Sequence, residues 1–142
     1  MASDESTGFD LDAKIEDFLA GEPHAVVGAS RDRAKYGNKV LRVYQQTQRP
    51  VFPVNPAGGE VEGLEAYPSL SAIPQTIYGV SIITPPAVTE QVVAEAIELG
   101  VMRIWMQPGA ESDEAIRRAE DAGATVIAGG ACILVVLGYH EH

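Results

Sequence analysis

Short, continuously apolar segments alternate along the chain with longer amphipathic segments, and this alternation limits the folds open to it. The apolar segments lie at residues 25–28, 51–55, 78–84, 102–106 and 125–128. Apolar residues recur at helical spacing between them, at residues 37–47, 87–99 and 112–122. Strands that are apolar throughout are typical of a parallel sheet covered on both faces. Because parallel neighbours need crossover connections, the order predicts a doubly wound, three-layer α/β fold.

The segment before the first strand predicts a short helix. Residues 1–9 are small, polar and acidic, and we expect a frayed terminus there. Apolar residues then recur at helical spacing from Leu11 to Leu19, until Gly21 and Pro23 stop the pattern.

No internal repeat, low-complexity tract or linker divides the rest of the chain. We therefore predict a tail and short helix at residues 1–21 and one Rossmann-like domain at residues 22–138. Trp105 lies in an apolar strand and is predicted to be core. The apolar run 131–137 fits a helix or a strand, since periodicity alone favours neither.

Half of the positive charge of the chain lies in one segment. The net charge is -10, yet five of the ten Lys and Arg residues fall within residues 31–42, directly after the first predicted strand. Backbone N–H groups at a helix start attract anions, and a glycine lets a ligand approach closely. We therefore predict a polyphosphate-binding loop formed by Gly28, Ala29, Ser30, Arg31, Arg33 and Lys35. Lys39 and Arg42 lie further into the predicted helix and are expected to be surface charges.

The overall charge bears on partners and location. The 20 Asp and Glu residues would repel a nucleic-acid backbone everywhere except near the basic segment, so we exclude nucleic acid as a partner. So acidic a composition is compatible with a halophile's high-salt cytoplasm, and equally with an ordinary acidic protein. One cysteine, Cys132, excludes an intrachain disulfide. The start of the chain has no signal-peptide pattern and no apolar run could cross a membrane, so we expect a cytoplasmic protein without membrane partners.

Ligands of an open parallel sheet bind beyond the carboxyl ends of its strands, where the strand order reverses. Besides the basic loop, the candidate binding residues at these ends are Asn55, Pro56, Thr84, Pro85, Pro86, Gln107 and Cys132. The loops are rich in Gly, Pro and small polar residues, which suits binding better than acid–base chemistry. We therefore expect no enzyme activity from this chain.

A dinucleotide is the usual ligand of such a fold, and the sequence departs from its fingerprint. That fingerprint has three glycines after the first strand and an acidic residue after the second. Here Gly28 stands alone and Asn55 takes the acidic position, where a neutral amide tolerates a phosphorylated ribose. NADP and coenzyme A both carry one. An NADP-dependent oxidoreductase or its cofactor-binding fragment therefore stays open as an alternative, as does a regulatory subunit whose nucleotide site has decayed.

Several motifs together resemble the stand-alone CoA-binding domain family, which is similar to the nucleotide-binding domain of the succinyl-CoA ligase alpha subunit. They are residues 26–30, 54–56, 63–74, 105–109 and 123–132. The resemblance implies coenzyme A or acyl-CoA as the ligand, with the pyrophosphate on residues 28–30 and the basic residues that follow.

The resemblance also suggests where the remaining parts of the ligand lie. Asn55 and Pro56 would flank the ribose phosphate, and residues 84–86 would border adenine and the start of the pantetheine arm. The apolar residues around Cys132 depart from the family pattern, so a mixed disulfide between Cys132 and the pantetheine thiol is a separate hypothesis. The ligase's phosphohistidine domain and ATP-grasp partner have no counterpart in the sequence. We therefore expect non-catalytic binding, as a homo-oligomer or with a partner enzyme subunit.

Overall fold

The computed structural model describes residues 3–141. Its helices are α1 (Ser3–Leu19), α2 (Tyr36–Gln46), α3 (Pro86–Glu98), α4 (Asp113–Asp121) and α5 (Ile133–Leu137), with a short 3-10 helix at Leu70–Ala72. Its strands are β1 (His24–Val27), β2 (Val51–Val54), β3 (Glu60–Val61), β4 (Leu64–Glu65), β5 (Gly79–Ile82), β6 (Arg103–Met106) and β7 (Thr125–Ile127).

Five strands form one sheet in the order β2-β1-β5-β6-β7, and every neighbouring pair is parallel. Strands β3 and β4 form a separate antiparallel hairpin between β2 and β5. The chain moves outward from β1 to β2 and then returns to the other side of β1 to begin β5. The strand order therefore reverses beside β1, which confirms the predicted doubly wound parallel fold.

Two apolar layers cover the sheet. Helices α1, α2 and α5 pack on one face, where Phe18, Leu41, Trp105 and Ile133 are buried. Helices α3 and α4 cover the other face. The prediction that Trp105 is core is confirmed, and its indole Nε1 donates to the carbonyl oxygen of Ala131 at 3.0 Å. That hydrogen bond connects the segment after β7 to strand β6.

A row of buried side-chain hydrogen bonds begins at the amino-terminal edge of the sheet. His24 Nδ1 is 2.8 Å from the Tyr44 hydroxyl, which is 3.0 Å from Ser81 Oγ. The His24 ring also contacts the ring of Phe18 edge-on and stacks on that of Tyr78. Burial lowers the pKa of His24 from 6.5 to about 4, because a charged imidazole would lose its hydration there. The ring is therefore neutral at physiological pH.

The structure corrects three local predictions and decides one question that the sequence left open. Helix α1 begins at Ser3 instead of near Leu11, so residues 3–9 are helical, while residues 1 and 2 lie outside the described part. Acidic residues in the first turn of a helix are favourable, so the acidic composition that suggested fraying also suits a helix start. The undecided run 131–137 contains a helix, α5. The helical spacing in residues 87–99 places Val88 on the core-facing side together with Val92, but Val88 is 40% exposed. Arg42, expected on the surface, is buried. Between residues 3 and 141 no helix is long and apolar enough to cross a membrane.

Candidate functional site

A cleft opens at the carboxyl edge of the sheet where the strand order reverses. It holds a cavity of about 210 Å³ between the ends of β1, β2 and β5 and the first turns of α3. A cavity of about 280 Å³ lies at the opposite edge, beside the 3-10 helix and the end of α3. The fold places ligands at the carboxyl edge. The residues that line the carboxyl-edge cavity include Val27, Gly28, Val54, Pro56, Ser69, Thr84 and Val92.

Two glycines bring three backbone segments together at the floor of this cleft. Gly28 has a φ of 100°, and a side chain there would collide with the carbonyl oxygen of Ile83. A side chain at Gly37, in the first turn of α2, would collide with the carbonyl oxygen of Gly28. The start of α2 therefore packs directly on the end of β1. The close helix–strand packing that a third glycine supplies in dinucleotide-binding turns comes here from Gly37, which the sequence prediction did not identify.

The basic loop between β1 and α2 is held in one conformation by its own hydrogen bonds. Ser30 Oγ accepts from the Asp32 N–H at 3.1 Å, and Asp32 Oδ1 accepts from the Ala34 N–H at 2.9 Å. Buried Asn38 donates to the Ser30 carbonyl at 2.8 Å, and Arg42 Nη2 donates to a loop carbonyl at 2.9 Å. Arg42 is therefore buried beside the loop and bonded to its backbone. The charge pattern of the sequence predicted a surface position for it instead.

The three predicted cations of the loop differ in their partners. The Arg31 guanidinium donates to the Gly58 carbonyl on the β2–β3 connection. Arg33 Nε lies 3.5 Å from a carboxylate oxygen of Glu62. Lys35 precedes α2 without a side-chain cap bond, is exposed, and has no ion-pair partner among the described residues. All three cations lie on one loop, and the start of α2 follows directly.

Asn55 joins the ends of β1 and β2. Its Nδ2 donates to the Ala29 carbonyl at 3.0 Å, and its Oδ1 accepts from the Ala57 N–H at 2.8 Å. Ala29 is buried, and Pro56 beyond Asn55 is exposed and lines the cavity. These two bonds use the amide oxygen and one of the two amide hydrogens. Asn55 therefore positions both loops, and its second amide hydrogen has no acceptor within the described part of the chain.

The segment after β5 forms the other wall of the cleft. The Thr84 hydroxyl is 2.8 Å from that of Thr89, and Pro85 and Pro86 are exposed at the start of α3. Thr84 lines the cavity described above. Thr84 and Pro85 also line a neighbouring cavity of about 230 Å³, which continues towards Pro108. The two cavities follow one another along the same edge.

Tyr36 links Gln107 and Cys132 through its hydroxyl group, further along this edge of the sheet. Gln107 Oε1 accepts from the Ile133 N–H at 2.9 Å and from the Tyr36 hydroxyl at 3.2 Å. The Tyr36 oxygen is 2.8 Å from Cys132 Sγ. Either the Tyr36 hydroxyl or the Cys132 thiol can donate the hydrogen of this contact. Burial, followed by the bond to Cys132, raises the pKa of Tyr36, so the phenol stays protonated at neutral pH.

The structure thus brings most of the predicted residues to one edge, in two groups. Gly28, Pro56 and Thr84 line the cleft at the strand-order reversal, and the other residues of 28–35, 55–56 and 84–86 lie on the same three loops. Gln107 and Cys132 lie further along, and Gln107 is fully buried. Residues that the sequence prediction missed are Tyr36, Gly37, Asn38, Glu62 and Ser69. A glycine at a predicted helix start was a usable signal for Gly37, whereas nothing local marked Glu62. Among residues 3–141 no cluster of metal-ligating side chains occurs.

Curated relatives fall into two groups. The acetate–CoA ligase [ADP-forming] II subunit alpha of Pyrococcus furiosus is 37% identical over 78 residues, which is 54% of this chain and 17% of that protein. The chain therefore spans about a sixth of the length of that ligase subunit. Bacillus subtilis YneT has a comparable size: it is 30% identical over 116 residues, which cover 81% of this chain and 86% of YneT.

Solved structures resemble the chain over most of its length. A conserved hypothetical protein from Pyrococcus furiosus superposes with a TM-score of 0.77 at 41% identity, covering 82% of this chain and 99% of the other. A Pyrococcus horikoshii protein gives 0.82 at 30% identity, covering 88% and 87%. The sequence pattern of the CoA binding domain family matches residues 23–138. A match of that extent, on the fold described above, shows that the chain belongs to the CoA binding domain family.

Proposed function

We propose that this chain binds coenzyme A or an acyl-CoA non-covalently in the cleft at the strand-order reversal, without catalytic machinery of its own. The observation that carries the proposal is an apolar cavity beside a preorganised basic loop, at one edge of a parallel sheet. Family membership supports the class of ligand. Relatives that are named acetate–CoA ligases support it as well.

The cavity suits the adenine ring. Its walls include the apolar side chains Val27, Val54 and Val92, and Ser69 and Thr84 supply hydroxyl groups. Ligand sites that combine apolar walls with a few polar groups fit flat heteroaromatic rings, since the walls contact the faces of the ring and the polar groups orient it. The adenine end of the ligand would therefore lie here.

The diphosphate would lie across the basic loop and the start of α2. Helix α2 has eleven residues, and its N-cap Lys35 makes no side-chain cap bond within the described part of the chain, so the first backbone N–H groups of the helix would be available to a phosphate. Arg31, Arg33 and Lys35 add charge-assisted donors around the same point. Gly28 and Gly37 allow the end of β1 and the start of α2 to pack directly on each other, so the diphosphate would lie on a compact backbone turn.

The remaining parts of the ligand have matching surroundings. Neutral Asn55 would offer its free amide hydrogen to the ribose phosphate, where a carboxylate would repel it. The cavity between Thr84 and Pro108 would hold the pantetheine arm and direct its thiol towards Gln107 and Cys132. This edge supplies glycine, proline, amide and hydroxyl groups, so we assign it the role of binding CoA or an acyl-CoA.

The wider assignments form part of the same proposal. We place the CoA-binding unit at residues 22–138, preceded by an N-terminal tail and short helix at residues 1–21. We expect it to act in the cytoplasm, as a homo-oligomer or with a partner enzyme subunit that uses the acyl group.

Calorimetric melting with a panel of ligands tests the proposal. CoA should raise the melting temperature by mass action, and dephospho-CoA should raise it less. Arg31→Gln should reduce the CoA shift, whereas Arg117→Gln, at an exposed arginine on α4, should leave it unchanged. A larger shift with NADPH than with CoA would instead favour the oxidoreductase alternative. No shift with any CoA species would refute the proposal.

A further inference from the structure

A carboxylate from the β3–β4 hairpin contacts the basic loop at the place that the proposed function gives to the ligand's phosphates. Glu62 Oε2 is 3.5 Å from Arg33 Nε and accepts from Asn38 Nδ2 at 3.0 Å. Asn38 is fully buried and also donates to the Ser30 carbonyl. Glu62 therefore contacts the same loop, and one of the same cations, that the proposed function gives to an anionic ligand.

The β3–β4 hairpin holds this carboxylate in place through its backbone. Glu62 and Gly63 form the turn, with φ angles of 49° and 80°. Two-residue hairpin turns with positive φ favour Asn or Gly at both positions, so a glutamate is unusual here. The Glu62 carbonyl also accepts from Gln45 Nε2 of α2 at 3.0 Å. The turn is thus fixed to α2 by both its backbone and its side chain.

The segment that carries Glu62 also contacts the second arginine of the loop. Arg31 donates to the Gly58 carbonyl, a few residues before Glu62. Among the described residues, only Lys35 of the three loop cations has no protein acceptor for its charged group. The ligand-free loop is therefore partly neutralised by the chain itself.

We propose that Glu62 is a built-in competitor for phosphate, which occupies Arg33 in the unliganded protein and selects for ligands of high anionic charge. The inference rests on the proposed function and deepens it. A diphosphate brings more negative charge to Arg33 than one carboxylate does, so it can displace Glu62. The Arg33 side chain is 57% exposed, and exposed ion pairs are weak, so the exchange is cheap. An anion of lower charge gains less from this exchange than a diphosphate does, which favours the diphosphate.

Glu62→Gln tests this proposal, because a glutamine keeps an oxygen acceptor for Asn38 and removes only the charge. Calorimetric titration should give CoA a dissociation constant about three- to tenfold lower than in the wild type, the range for one charge near a solvated anion. Glu65→Gln is the matched control, since Glu65 is an exposed carboxylate on the same hairpin whose side chain makes no hydrogen bond or ion pair with the described residues. We expect it to change the constant by less than about twofold. Melting curves of both variants check that they fold.

A double-mutant cycle locates the competition at Arg33. In an Arg33→Gln background, Glu62→Gln should give no comparable gain, because the shared cation is gone. An unchanged or weaker CoA affinity in Glu62→Gln, in a wild type that binds CoA, would overturn the competitor role and leave Glu62 as a positioning residue. Absence of CoA binding by the wild type would instead refute the proposed function itself.

Discussion

Lowering the pH should destabilise this protein through one buried imidazole. His24 is 2% exposed and neutral in the fold, with a pKa of about 4 in place of 6.5. The unfolded chain therefore binds a proton between these values that the folded chain excludes, and the free energy of unfolding falls as the pH drops from about 6.5 towards 4. Each pKa unit corresponds to about 1.4 kcal/mol, so the full loss is about 3 kcal/mol, of which about 2 kcal/mol falls between pH 7 and 4.5.

Urea denaturation of the wild type and of His24→Gln at both pH values isolates this contribution. Glutamine can still bond the Tyr44 hydroxyl and does not titrate. The variant should be less stable at pH 7, because its side chain packs less well against Phe18 and Tyr78. The difference in unfolding free energy between wild type and variant should then shrink by about 2 kcal/mol at pH 4.5. Other titrating groups cancel in the comparison. A difference that stays constant or widens on acidification would refute the reasoning.

Three further changes test other parts of the structure. Gly37→Ala should lower the free energy of unfolding, measured in urea, by about 1–3 kcal/mol, because its new methyl group would collide with the Gly28 carbonyl. Gly→Ala inside a helix usually stabilises a protein, and such a gain here would contradict the close packing. Phe18→Ala should cost about 3–5 kcal/mol by the same assay, since the ring is 1% exposed and packs on Trp105, whereas a loss below about 1 kcal/mol would show that α1 contributes little to the core. Incubation with CoA disulfide should add one CoA to Cys132 by thiol–disulfide exchange with release of free CoA, as judged by intact mass spectrometry; an unmodified thiol would count against the placement of the pantetheine end.

The sheet was predictable because its signals are local. Each main-sheet strand is a short apolar run between helical patterns, and a parallel order follows from the crossovers that such runs require. Trp105 was predictable for the same reason. The bounds of α2, α3 and α4 differ from the predicted ones by one residue at each end.

The end of the chain was less predictable because its apolar run has no clear period. Residues 131–137 form the short helix α5, and Val135 on that helix is exposed. Its apolar composition suits either a strand or a helix. The choice depends on packing against α2 and Trp105, which are distant in sequence.

The meeting of the candidate residues at one edge of the sheet was predictable from the strand ends, whereas the contacts among them were not. Strand ends and a cluster of cations marked the basic loop, since both are visible in one stretch of sequence. Arg42 and Glu62 illustrate what is missed. Arg42 sits at a helix position that charge patterning assigns to the surface, and it is buried because it supports the loop. Glu62 reaches Arg33 only because the hairpin folds back onto α2, a contact between residues far apart in sequence.

Backbone amide shifts during a CoA titration of isotopically labelled protein test the central claim most directly. If CoA binds where the strand order reverses, the amides of Gly28, Ser69 and Thr84 should shift in a saturable way, together with those at the start of α2. The amide chemical shifts near Leu99, beside the cavity at the opposite edge, should not change. Shifts confined to that opposite edge, or no saturable shift at low ionic strength or in concentrated potassium chloride, would contradict the account.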